Sequence, residues 1–298
     1  MASLLEIRKK IKSVKQTRKI TKAMQLVSAS KMKVFQKKAV SCRSYAWDLL
    51  SVLKRHIPNQ KRSLFLEQRE SGKTLFVQYS SDKGLCGALN TKLSKALFTS
   101  RKWTETPADQ RLLITIGKKA MDFARYNEIP LKHHFNGLNE QMTTLDALDF
   151  IKPIVDLWIS GDVKEILMIA PHYQSTLVFY PLVKTFLPFS DEMISRHLNI
   201  EEESTHENIY SPTNTHMYYE PSEERIIEVL FTQVIQLLFI QSFFELKAAE
   251  YSSRMIAMQN ATDNADDIIR KLTLTYNKAR QARITQELSE ISGAMAAM

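Results

Sequence analysis

Apolar residues recur at threes and fours along the start of the chain: Ile7, Ile11, Val14, then Ile20, Met24, Val27, then Met32, Phe35, Ala39, Cys42, Ala46, Leu49 and Leu53. Such spacing lays a stripe down one side of a helix, with a drift near Thr17 and Ser28. At the other end, residues 226–246 are apolar almost all round, which predicts a helix buried on two sides. Beyond Lys247 the apolar set narrows to Tyr251, Met255, Met258, Thr262, Ala265, Ile269, Leu272, Tyr276 and Ala279. Those steps alternate four and three, the spacing of a coiled-coil seam. Its small members, Thr262, Ala265 and Ala279, allow a partner helix to come close.

Between the two ends the pattern changes. TLFVQY (74–79), RLLITI (111–116) and EILMIA (165–170) predict buried strands, and 131–135 and 176–180 predict two more. Helical segments are expected at 88–100, 118–126 and 143–159. Strands alternating with helices imply crossover units and a largely parallel sheet. The stretch 191–207 is acidic, and 218–220 is expected to close the domain.

Punctuation sharpens the division. No glycine or proline precedes Pro58, and none lies between Pro221 and Gly293. These are the main breakers of local structure, so both ends read as long uninterrupted helices, of roughly 80 Å and 110 Å at about 1.5 Å per residue. Lys54 and Arg55 suit the last turn of the first helix and Pro58 ends it. Pro221 fits the first turn of the last helix, with Glu223 and Glu224 at its positive end. The expected organisation is an N-terminal shaft helix (1–57), a globular α/β domain (58–220) and a C-terminal shaft helix (221–298). The fold class is α/β: two terminal helices in an antiparallel coiled coil, around a central Rossmann-like domain with a largely parallel sheet.

Charge changes the picture at one end only. The net charge is +9, but residues 1–62 hold 17 Lys/Arg against 2 Asp/Glu, and the remainder holds 24 against 30. The basicity belongs to the first helix, which calls for an acidic partner surface. A solvated coiled-coil face is the plainer alternative. Two cysteines on segments of different character, Cys42 and Cys86, make no disulfide framework and fit a reducing compartment. The opening MASLLEIRKK lacks the apolar core of a signal peptide. The longest apolar stretch, 229–244, is interrupted by polar residues and reads as too short and too polar to span a bilayer.

Candidate chemistry is sparse. Gly72-Lys73-Thr74 resembles the end of a phosphate-binding loop, but the required upstream glycine position holds Glu67, and the strand follows the lysine instead of preceding the loop. The loop 81–87 (SDKGLCG) follows a strand and opens a helix. Without the three-glycine fingerprint it reads as a tight turn, not a phosphate cradle. Cys86 there reads as a buried structural thiol. His133 and His134, adjacent on a strand, point to opposite faces and form no metal site with His172. Glu201, Glu202 and Glu203 read as a solvated loop. No catalytic constellation emerges.

Four segments resemble the gamma subunit of F-type rotary ATP synthases, of the bacterial type: IRKKIKSVKQTRKITKAMQLVSASKMK (7–33), SDKGLCGALN (81–90), SRMIAMQNATDNA (253–265) and YNKARQARITQELSEISGA (276–294). The order and layout match along the whole chain. One departure lies at the tip, where Ile291-Ser292-Gly293 is followed by Ala294-Met295. The family usually reads a small pair or Gly-Gly before an alanine-rich tail, so tip packing does not carry over. The cysteine-bearing regulatory insertion of chloroplast subunits is absent, so no thiol switch is expected.

The resemblance implies a central-stalk rotor. The long helices would stand inside a ring of alpha and beta subunits, with the globular domain on the membrane ring of c subunits beside epsilon. Rotation would couple ion flow to ATP synthesis or hydrolysis at sites belonging to the ring. The chain itself would then carry no catalytic, cofactor or metal site. It would sit at the cytoplasmic face of the cell (inner) membrane as a peripheral protein. The motif match points to Lys22, Met24, Gln25, Arg254, Arg280, Gln281, Thr285 and Glu290 as ring-facing or mutually bracing contacts. Met24 fits a plain seam residue equally well, and a surface ion pair is the simpler account of Arg254. Two rival classes fit worse. In a nucleic-acid-binding zipper the basic region is separate from the zipper, whereas here basic and apolar residues share one helix. A nucleotide-binding enzyme lacks its fingerprint, and fold alone does not imply function.

Overall fold

A computed structural model describes residues 4–56, 63–138, 140–202, 220 and 222–296. Along the chain lie α1 (Leu4–His56), β1 (Lys73–Tyr79), α2 (Leu89–Thr99), α3 (Arg101–Glu105), β2 (Arg111–Ile116), α4 (Lys118–Tyr126), β3 (Leu131–Phe135), α5 (Thr144–Ile159), β4 (Val163–Tyr173), β5 (Phe179–Leu187), α6 (Asp191–Glu202) and α7 (Glu223–Ala296). Contacts divide the chain into two compact units. One joins Met1–Ser30 to Arg254–Met298, and the other is Lys31–Ser253.

In the first unit the ends of α1 and α7 run antiparallel. Arg18 Nε lies 2.5 Å from Asp266 Oδ1, Thr21 Oγ1 2.8 Å from Thr262 Oγ1, and Gln25 Nε2 3.4 Å from Gln259 Oε1. Rising numbers on one helix thus meet falling numbers on the other. The α7 seam follows the expected steps: Met258, Thr262 and Ala265 are buried, and Ile269, Leu272, Tyr276 and Ala279 half-buried. On α1 the seam departs from the apolar reading. Ile7 is buried and Ile11 and Val14 half-buried, but Ile20 and Val27 are 60% and 57% exposed. Met24 keeps its expected place on the seam, but Arg18, Thr21 and Ser28 take the positions around it. The reason is rotational: six residues from Val14 to Ile20 turn a side chain by about 240°, off the face that steps of four and three maintain.

A polar seam has a measurable consequence. Thr262 Oγ1 also bonds the Met258 carbonyl at 2.8 Å, and Thr21 Oγ1 the Arg18 carbonyl at 3.1 Å. Neither hydroxyl is stranded when the other is removed. Thr262→Val should therefore cost only about 0.5–1.5 kcal/mol, the usual net worth of one hydrogen bond. Thermal unfolding of the single and double Thr→Val variants checks this, and the double should cost less than the sum of the singles.

The second unit is built on a five-stranded sheet of order β3-β2-β1-β4-β5. β1 pairs parallel with β2 and β4, and β2 with β3, while β5 returns antiparallel to β4. The order matches open doubly wound sheets. Alternate residues of β1 serve opposite faces. Phe76 packs with Leu97 of α2, Trp103 of α3 and Ala124 of α4. Tyr79 faces the other way, its ring 5.7 Å from Phe239 of α7 and its hydroxyl donating to the Phe239 carbonyl at 3.3 Å. α7 is therefore the core helix of that face, with Phe231, Phe239, Phe243, Ala248 and Ala249 fully buried. By length and composition it is apolar enough to cross a bilayer, more so than 229–244 alone suggested. Yet over half of that apolar window is buried inside the protein. Its side chains form the core, each large one contributing about 1.5–3 kcal/mol by leaving water.

Three local readings change. The strand expected at 176–180 lies at Phe179–Leu187, because β4 runs on to Tyr173 and residues 174–178 make the hairpin turn. Pro181 and Pro188 disguised β5, an edge strand on which proline's missing donor is tolerated. The acidic stretch from Asp191 is helix α6, with Asp191 and Glu192 at its positive end and Ser190 Oγ accepting from Met193 N at 3.0 Å. Glu201 and Glu202 thus belong to a helix, not a loop. Glu203, residues 218 and 219, Pro58 and Pro221 lie outside the described residues.

Candidate functional site

The glycine turns are occupied by the protein's own groups. A Cβ on Gly72, at φ +122°, would sit 2.9 Å from Lys164 N. That glycine permits close strand approach, not phosphate binding. In the loop 81–87, Asn90 Nδ2 donates to Ser81 Oγ at 2.8 Å and lies 3.2 Å from the buried Cys86 Sγ. Asn90 Oδ1 accepts from Ser81 N at 3.0 Å. Asp82 Oδ1 accepts from Lys118 N at 3.0 Å, tying the loop to α4. The arrangement is a self-satisfied strand-to-helix turn.

The histidines are scattered. His133 and His134 lie exposed on edge strand β3. His172 is buried, its Nδ1 3.2 Å from Glu245 Oε2. Among the described residues no group of three His, Cys, Asp or Glu is placed to hold a metal ion.

Sequence reasoning missed the polar network at Glu245. Its Oε1 accepts from Arg43 Nη2 at 3.0 Å and Gln241 Nε2 at 3.1 Å, and its Oε2 from Tyr173 N at 3.1 Å. Arg43 Nη2 also donates to the Tyr173 carbonyl at 2.8 Å. Burial alone would push the Glu245 carboxyl up. The His172 hydrogen bond and the charges of Lys184 and Arg43 outweigh that and hold it far below the usual carboxylate range. The network pins α1 and α7 to the end of β4. A signal was present: Glu245 is a lone carboxylate in an apolar run, and Arg43 a lone cation beside the α1 stripe.

The sequence-predicted contact residues fall into three groups. Lys22 is exposed, with Nζ 3.2 Å from Gln25 Oε1, and Met24 and half-buried Gln25 border the seam. The structure thus brings Lys22, Gln25 and Gln259 together. Arg254 is only 7% exposed, which a surface ion pair does not fit. Arg280, Gln281, Thr285 and Glu290 are all exposed on α7, and Glu290 Oε1 accepts from Gln286 Nε2 at 3.0 Å. Beside them Ile284, Leu288, Ile291 and Met295 repeat the four-three step with apolar side chains open to solvent. On α1, the cations from Arg8 to Lys22 are exposed except Arg18, the half-buried partner of Asp266. An exposed cationic helix face and, further along α7, an open apolar stripe are surfaces that suit macromolecular partners.

Comparison with known proteins gives one answer. A family profile described as ATP synthase matches residues 3–298. The ATP synthase gamma chain of Exiguobacterium sibiricum is 36% identical over 300 residues, covering 99% of each chain. That of Methylobacillus flagellatus is 34% identical over 301 residues, covering 100% of each. Among solved structures, a chain of the Euglena gracilis mitochondrial ATP synthase OSCP/F1/c-ring assembly superposes with TM-score 0.66 at 19% identity, over 99% of this chain and 94% of that one. A chain of the Tetrahymena thermophila mitochondrial ATP synthase central stalk/c-ring superposes with TM-score 0.58 at 21% identity, over 81% of this chain and 99% of that one. At those identities the likeness establishes the fold.

Proposed function

The chain belongs to the ATP synthase gamma-chain family, and from that premise we propose that it is the central-stalk rotor subunit of an F-type ATP synthase. The observation that carries this reading is the similarity to gamma chains along the full length of both sequences. Rotation of the membrane c-ring would turn the α/β domain, and the helical pair would turn with it inside the alpha/beta ring. The subunit itself is non-catalytic: ATP is made or hydrolysed in the ring. Its place is the cytoplasmic face of the cell membrane, peripheral and held through the c-ring, with epsilon beside the α/β domain. Residues 1–57 and 221–298 serve as the shaft and 58–220 as the base.

The contact residues divide by exposure. Lys22, Arg280, Gln281, Thr285 and Glu290 face outward and are proposed to meet the ring. Gln25 and Arg254 brace the shaft, and Met24 does both. The cations of α1 suit an acidic ring surface. Solvated ion pairs are worth only about 0–1 kcal/mol each, so they exchange cheaply as the shaft turns.

The test is ATP hydrolysis by cognate alpha and beta subunits assembled with and without this chain. A stable complex with strongly raised turnover is expected. Lys22→Glu should lower that turnover by a factor of about 2–5, the equivalent of one lost solvated ion pair. If alpha and beta neither bind the chain nor respond to it, the rotor reading is wrong.

A further inference from the structure

In the larger unit, one carboxylate is bonded by both long helices. Glu140, in the loop between β3 and α5, accepts from the Tyr251 hydroxyl of α7 and from Lys31 Nζ of α1 at 2.7 Å. Lys31 Nζ also lies 3.4 Å from Tyr251 Oη and 5.4 Å from the centre of its ring. Lys38 Nζ, about two turns further along α1, donates to the Glu140 carbonyl at 3.3 Å. A single loop residue therefore touches α1 twice and α7 once.

The loop that carries Glu140 is anchored on both sides. Leu138 and Met142 are buried. Immediately after them, Thr143 and Asp146 close a reciprocal cap on α5, so the loop is tied to a helix of the α/β layer. Lys31 opens the part of α1 that belongs to this unit, and Tyr251 lies near the end of the part of α7 that does. The clasp thus sits at the margin of the unit on both helices.

Its energetics separate it from the other attachments. The apolar core and the Glu245 network are buried. The Glu140 and Lys31 side chains are 37% and 43% exposed, and such a pair adds little stability. Partial burial raises the Glu140 carboxyl, but the Lys31 and Tyr251 hydrogen bonds and nearby lysine charges bring it below its ordinary range. It is ionised at neutral pH. What a charge-assisted bond adds is direction. Apolar packing is non-directional.

We propose that Glu140 is a positioning residue for rotary coupling, a clasp through which the α/β domain turns both long helices together. This rests on the rotor reading above. The test uses the complete membrane complex in sealed vesicles, carrying the wild-type chain, Glu140→Gln, Tyr251→Phe or both substitutions. ATP hydrolysis, ATP-driven ion uptake and the thermal midpoint of the complex are measured together. In each single variant, ions moved per ATP should fall about twofold or more, the range by which one residue of a coupling network acts. Hydrolysis and the midpoint should stay near wild type. The double variant should fall no further than the worse single, since both act through one carboxylate. An unchanged ratio overturns the clasp. So does a joint fall of hydrolysis, midpoint and ratio, which marks a merely structural role. Vesicles with the wild-type chain that hydrolyse ATP but take up no ions would instead sink the rotor reading, and the clasp with it.

Discussion

Glu245→Ala is expected to lower the unfolding free energy of the chain by about 3–5 kcal/mol, the cost of breaking a buried ion pair from one side. The substitution leaves the buried Arg43 guanidinium bonded to the Tyr173 carbonyl but without the carboxylate that balances its charge. It also strips the Tyr173 amide and Gln241 of their shared acceptor. Urea unfolding followed by tryptophan fluorescence reports this directly, because Trp103 and Trp158 are both buried in the α/β unit. The same carboxylate sets an acid dependence. Its folded-state affinity for protons is depressed, so its stabilisation is complete above the unfolded carboxylate value of about 4.3. It is lost progressively as pH falls below that value. Wild-type stability should therefore drop on acidification more steeply than that of Glu245→Ala. Parallel curves for the two proteins would remove Glu245 as the source of the dependence. A loss under about 1 kcal/mol at neutral pH would mean that the network relaxes around the gap.

Gly117→Ala is expected to cost a similar amount, about 3–5 kcal/mol, by a different route. Gly117 has φ +98° and ψ 147°, a region essentially closed to side chains. Its added Cβ would lie 2.1 Å from the Ser80 carbonyl oxygen and 2.8 Å from the Ser80 carbonyl carbon. Backbone just past the ends of two paired strands cannot give way as a flexible side chain can. The disturbance would spread into the loop 81–87, because Ala120 N donates to Ser80 Oγ at 2.8 Å and Lys119 N to the Ser81 carbonyl at 3.1 Å. The control is Gly137→Ala. It also has positive φ, +67°, but nothing lies within 4 Å of its added Cβ. That variant should lose only about 1–2 kcal/mol, the cost of the left-handed backbone alone. Urea midpoints of the two variants, measured side by side, separate steric clash from backbone preference. Equal losses would show that the clash at Ser80 is relieved.

The sheet was the easiest part of the fold to read. β2, β3 and α4 fall at the residues expected of them, and β2 was the clearest, since a strand buried on both faces writes continuous apolar sequence. The α7 seam was equally plain, because small and apolar residues hold the four-three step without interruption from Met258 to Ala279. β5 was displaced in the reading because prolines on an edge strand look like breaks. The α1 seam was misread between Val14 and Met32, where the face that turns inward carries Arg18, Thr21 and Ser28. There, apolar residues such as Ile20 and Val27 are set outward. Periodicity assumes that apolar means inside, and a helix with apolar positions on its outer face breaks that assumption.

Family membership, the two long helices and the parallel α/β layer were determined by the sequence itself. Each is a local or repeated signal: a motif, an uninterrupted run, a period. Which residues touch was decided only in three dimensions. Glu245 and Arg43 are about two hundred positions apart, as are Lys31 and Tyr251, and Glu140 stands in a loop with no pattern at all. A charged side chain writes the same letter whether it is solvated or clasped. Its role follows from what the fold carries to its side, because desolvation and hydrogen-bond geometry belong to the neighbourhood and not to the residue.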